Sequence, residues 1–173
     1  MDRAMDDRPN LYDDDIVTWA DEQVAALRAL AARSDLSNAV DWENVIEEIE
    51  SVGRSDFKGV DSALSQMLVH ILKYISAPQS QPTQSWRAEI VMFQAAAYRH
   101  YRPSMHQRID WEHLWTNAMR QADASLNIFG DRLLRGLPAQ MPFTPEELTA
   151  KDFSLDLALE RLAAVLKSTP DRH

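Results

Sequence analysis

The sequence predicts an all-α protein: an antiparallel up-and-down bundle of about five main helices, with a loop-rich C-terminal segment and a short terminal helix. Three observations predict it. Only four glycines occur in 173 residues, and β-branched residues are sparse. Alanine, leucine, glutamate, arginine and glutamine dominate, and these are strong helix formers. Apolar residues recur at spacings of three and four, and no stretch alternates with period two for long.

The first helix follows LYDDD. Asp13 to Asp15 stand where a cap and a helix N-terminus accept negative charge, and Ile16, Trp19, Ala20, Val24, Leu27 and Leu30 form its stripe. SDLSN breaks it. Asp41 caps the second helix, which is expected to stop near Gly53. The third runs from about Ser55 to Ser76 on Phe57, Val60, Leu64, Met67, Leu68, Ile71, Leu72 and Ile75. Two prolines in APQSQPTQS end it. Thr83 or Ser85 caps the fourth helix, whose stripe is Trp86, Ile90, Phe93 and Ala97 and which Pro103 interrupts. Ser104 restarts the chain into a fifth helix running to about Ile128. A loop-rich stretch follows, broken by a helical turn at Thr144 to Leu148, where Thr144 caps and Pro145 takes the first position. The last helix spans about Leu155 to Lys167. Residues 1–10 read as a flexible N-terminus and 11–168 as one helical-bundle domain.

Composition excludes several chemistries. The chain has no cysteine, so disulfides, thiolate metal sites and cysteine nucleophiles are ruled out. The formal net charge of −9 repels phosphate backbones and anionic lipid and argues against a nucleic-acid partner. MDRAMDDRPN lacks the apolar core of a secretory signal. No apolar run approaches the ~20 residues that span a bilayer. A cytoplasmic setting and no membrane partner are therefore expected.

The stretch DWENVIEEIESVG carries most of the acidic interest. At about 100° per residue, Glu47 falls opposite the apolar stripe and Glu43 is mostly outward. Glu48 and Glu50 lie on opposite flanks. Glu50 has Arg54 four residues on, an ordinary surface pair. Glu48 has no such local partner. In MLVHILKY, His70 also lies on a flank, with Lys73 nearby. An antiparallel hairpin of the second and third helices would bring Glu48 to His70, as a register-setting pair or a functional one.

A second constellation suggests a metal. His106, Asp110, His113 and Asn117 share a face of the fifth helix, but that face lies opposite Trp111, Trp115, Ala118, Met119, Ala122 and Leu126 and should be wet. An exposed face supplies no supporting shell for a catalytic metal, so neither a metal nor a cofactor is expected. No nucleophile elbow, phosphate loop or dinucleotide fingerprint occurs. Arg99, Arg102 and His106, and again Arg108 and His113, repeat an arginine–histidine spacing used by small helical ribonucleases, a weak signal against the acidic balance. RHYRP is the most basic spot and the place for an anionic ligand.

LYDDDIVTWADEQVAALR, DWENVIEEIESVGRSD, LVHILKY, SWRAEI, RPSM and LPAQMPFTPEELTAKDF occur in this order. Together they resemble the bacterial family called domain of unknown function, family 29, over about Leu11 to Phe153. Ala88 stands where the family pattern has threonine, and Met105 where it has leucine. Glu47, Glu48, Glu50, His70, Lys73, Ser85, Trp86 and Arg87 match the pattern. The resemblance implies a small helical bundle and no particular activity.

Two functions follow as expectations. One is a non-enzymatic interaction or adaptor protein that binds a protein partner, or itself, through an apolar flank. The other is a small-ligand binder, or a hydrolase- or ribonuclease-like enzyme, using Glu48, His70, Trp86 and Arg87. The candidate polar cluster is Glu48, Glu50, His70, Lys73, Trp86 and Arg87. A crevice lined by these side chains would favour the second reading, and mutual pairing the first.

Overall fold

In the computed structural model, residues 10–33 and 40–168 are described. Among them there are helices and no strand. In chain order these are α1 (Leu11–Asp14), α2 (Ile16–Ala31), α3 (Trp42–Ser76), α4 (Thr83–His100), a 3-10 turn (Pro103–Met105), α5 (Trp111–Ile128), α6 (Pro145–Leu148) and α7 (Leu155–Ser168). The SDLSN break, residues 34–38, lies outside the described residues, as do residues 1–9. Contacts group the chain into two compact units, residues 1–58 with 102–105, and residues 59–101 with 106–173.

The first unit begins with one helical turn, α1. Asp15 then caps α2, its carboxylate accepting from the Thr18 backbone N–H and the Thr18 hydroxyl, each at 3.0 Å. The buried face of α2 is Val17, Ala20 and Val24. The stripe is therefore rotated from the one expected. Val17 is fully buried and Leu30 is exposed, while Trp19 is partly covered and packed edge-on by Tyr12.

The second and third helices of the sequence reading are one helix. α3 runs 35 residues without a break through Gly53 and Gly59. A Cβ added at Gly53 would lie 3.2 Å from the Cβ of Ala20 and 3.8 Å from the Cα of Val17. Gly53 is thus the point at which α2 and α3 touch closely, rather than a helix stop. Helix propensity alone costs about 1 kcal/mol for a central glycine, and close backbone packing offsets it. Asp41 caps α3 as expected, accepting from the Asn44 N–H at 3.3 Å.

In the second unit, the buried side of α3 carries Val60, Leu64, Met67, Leu68, Ile71 and Leu72, six of the eight stripe residues read from the sequence; Phe57 and Ile75 are only partly buried. α4 returns antiparallel to it: His70 meets Glu89 and Phe93, while Lys73, further along, meets the earlier Trp86. Ala77, Trp86 and Leu126 close one end of the core, with Leu133 packed against them. Neither Thr83 nor Ser85 caps α4. Pro82 holds the cap position, and the Thr83 hydroxyl donates back to the Ser80 carbonyl at 2.5 Å.

α5 begins at Trp111, later than expected. Asp110 is its cap, accepting from the His113 N–H at 2.9 Å, and His106 lies before the helix. The loop that follows α5 is pinned by side chains. The Leu133 N–H donates to Asp123 at 3.3 Å, that of Leu134 to Ser76 Oγ at 3.0 Å and that of Met141 to Glu112 at 3.1 Å. The Trp115 indole donates to the Pro138 carbonyl at 2.8 Å. α6 has the capping box read from the sequence, with Thr144 and Glu147 satisfying each other's backbone N–H.

Candidate functional site

Three of the six residues picked out in the sequence, His70, Lys73 and Trp86, meet on the facing sides of α3 and α4, around Glu89. His70 is 9% exposed. Its Nδ1 lies 2.7 Å from the Gln66 carbonyl oxygen and its Nε2 lies 2.6 Å from Glu89 Oε2. Both ring nitrogens face acceptors. A ring protonated on both donates to both, and a neutral ring donates to one. Phe93 covers the ring, with centroids 5.5 Å apart. The Ser85 hydroxyl donates to the other Glu89 oxygen at 3.3 Å.

Lys73 sits one turn along α3, its Nζ 4.7 Å from the centre of the Trp86 ring. Burial pushes the Lys73 ammonium below the usual lysine range, and the Glu89 charge opposes that shift. Such a cation over an indole face is attracted by about 0.5–2 kcal/mol. Arg87 points elsewhere. Its hydrogen bond to Asp156, at 2.9 Å, and a second to Tyr74 hold its guanidinium above the usual arginine range. The pair with Asp156 is exposed and contributes little to stability.

The acidic residues of the cluster lie apart from this group. Glu48 is exposed. It and His70 belong to the same uninterrupted helix, 22 residues apart in sequence, so the antiparallel hairpin expected to join Glu48 to His70 does not form. That contact required a hairpin at Gly53, and α3 has none. Glu50 instead joins Arg28 and Arg54, the latter at 3.1 Å. These three, with Glu43, Ile46 and Glu47, line an open cleft of about 380 Å³.

Glu89 is the residue that sequence reasoning missed. Its signal was present in SWRAEI: it lies four residues after Ser85 and flanks the stripe of Trp86, Ile90 and Phe93. The shared helix face read for His106, Asp110, His113 and Asn117, on which no metal was expected, does not form as one stripe. His106 precedes α5, Asp110 caps it, and His113 is exposed with Asn117 Nδ2 2.6 Å from its Nε2. Among the described residues no three histidine or carboxylate side chains converge as metal ligands.

Fold and cluster together define an all-helical protein whose polar residues between α3 and α4 are satisfied by one another. The chain belongs to the family Domain of unknown function DUF29, whose model matches residues 11–154. It is similar over 90% of its length to the crystal structure of an α-helical protein of unknown function from Rhodospirillum rubrum. The two are 31% identical, with a TM-score of 0.82, and the match covers 99% of that chain. No curated protein matches.

Proposed function

We propose that this chain is a non-enzymatic interaction module that docks a protein helix on the outer face of α4. The observation that carries this is the character of that face. Met92 is 63% exposed and Val91 58% exposed, and Ala88, Ala95 and Ala96 beside them are exposed as well. Most surface helices turn a charged side to water, whereas α4 turns an apolar one.

The polar cluster supports the same reading. Histidine, lysine, arginine and glutamate side chains that could serve a reaction are engaged by neighbouring side chains. Glu89 holds His70 and Ser85, Trp86 covers Lys73, and Asp156 and Tyr74 hold Arg87. These contacts fix α4 against α3 and so present its outer side as a rigid ridge. Among the described residues no helix is long and apolar enough to cross a membrane, and in this reading the chain works in the cytoplasm.

The test is a photo-crosslinking amino acid placed at Val91, with a control at exposed Ser62 on α3. In cells, a discrete protein adduct is expected at position 91 and not at 62. It should vanish when Met92→Glu is added to a protein that still melts cooperatively. No adduct at 91 above the control overturns the proposal.

A further inference from the structure

Resting on that reading of α4, we infer that the helix docked there is α4 of a second copy, running antiparallel. Ser85, Ala88, Met92, Ala95 and Arg99 follow spacings of three, four, three and four, the seam of a two-helix coiled coil. All five are exposed, Ser85 beside Glu89. The seam carries one large apolar side chain, Met92, among alanines. Antiparallel seams face unlike positions, so Met92 of each copy falls against Ala95 of the other. Large meets small twice about the twofold axis, and the alanines let the helix axes approach to about 8 Å. Methionine fills such a gap because its side chain is unbranched and adaptable.

The flanks agree with this direction. Val91 lies on one side of the seam with Tyr98 one heptad further, and both are exposed. In the antiparallel pair, Val91 of one copy lies beside Tyr98 of the other. Arg99 of one copy lies over Ala88 of the other, within reach of its Glu89. A parallel pair would stack Arg99 on Arg99 and methionine on methionine. The surface is self-complementary only in the antiparallel sense, as a twofold interface requires. Its length, about three helical turns, is less than a standard interface of ~1,600 Å² needs. The dimer should therefore be reversible and concentration-dependent.

The absence of cysteine makes the test clean. Chains carrying Met92→Cys and Ala95→Cys are mixed in equal amounts under mild oxidation, with Arg99→Cys and Ser62→Cys alone as controls. The expected result is a mixed 92–95 disulfide forming at least tenfold faster than the Ser62→Cys dimer, with no comparable Arg99→Cys dimer. Sedimentation of the unmodified chain should show a monomer–dimer equilibrium that Met92→Glu weakens by at least tenfold. A fast Arg99→Cys dimer would overturn the antiparallel direction. A monomer at every concentration, with the 92–95 disulfide no faster than the control, would overturn self-docking. Should the Val91 adduct then prove to be a different protein, docking on α4 stands and the second copy falls.

Discussion

The Ser104 hydroxyl donates to Oδ1 of Asp15 at 3.0 Å, tying residues 89 positions apart. Asp15 also caps α2 through Thr18. Two family motifs, LYDDD and RPSM, thereby meet at one carboxylate. Burial pushes the Asp15 carboxyl up, but hydrogen bonds from the Thr18 N–H, Ser104 and the Thr18 hydroxyl, with the Arg102 charge, bring it below its ordinary value of 3.8.

A carboxyl held low in the folded state stabilises above its unfolded value, and that stability is lost as pH falls through the folded value. Asp15→Ala should cost about 1–2 kcal/mol near neutrality, the range of a lost N-cap, and Ser104→Ala should cost less. Both differences should shrink as pH falls below the ordinary value of 3.8 and through the lower folded value, where the wild-type carboxylate is protonated as well. Urea melts across this range measure it. A deficit unchanged by acid would mean that Asp15 acts through packing rather than charge.

Gly53 and Gly59 lie in the same helix and should respond in opposite ways. Nothing stands within 4 Å of a Cβ built at Gly59, whereas one at Gly53 meets Ala20 at 3.2 Å. Gly59→Ala should therefore raise stability by about 0.5–1 kcal/mol through helix propensity. Gly53→Val should lower it by about 1–3 kcal/mol through overpacking. Thermal melts of the two variants decide the matter. A stabilised Gly53→Val would remove the close contact as the reason for the glycine.

These two glycines also show what a sequence discloses. The stripe from Val60 to Leu72 was legible because burial imposes a helical period on one local stretch. The capping box at Thr144 was legible because its chemistry spans four residues. Gly53 was misread because propensity scores a glycine by its own helix, while its use here is the distance to a different one. Glu89 was missed for the same reason. Its partner is fixed by how α4 lies on α3, and splitting α3 at Gly53 offered Glu48 as the partner in its place.

The pairing of His70 with Glu89 should appear as energetic coupling. His70→Ala and Glu89→Ala each remove one side of a half-buried contact, so the double variant should lose less than the sum of the singles, by about 1–2 kcal/mol. Glu48→Gln, on an exposed side chain, should stay within about 0.5 kcal/mol of the parent. A double-mutant cycle by denaturant unfolding measures both. Strict additivity at 70 and 89 would sink the pair.

Lys73 provides a signature with the same pH sign as Asp15, displaced to the alkaline side: stability rises with pH in both cases because each folded value lies below the unfolded one. Burial holds its ammonium below the ordinary lysine value of 10.5, and Glu89 opposes the shift. The fold therefore disfavours the charged form, at a cost present near neutrality that disappears as pH rises through the folded value towards the unfolded one. Relative to Lys73→Met, the wild type should gain stability between neutrality and about pH 10. NMR titration of the Lys73 side chain should give a midpoint below the ordinary value, and Glu89→Gln should lower it further by removing the opposing charge. A midpoint that rises in Glu89→Gln would mean that Glu89 does not act on Lys73 as a charge.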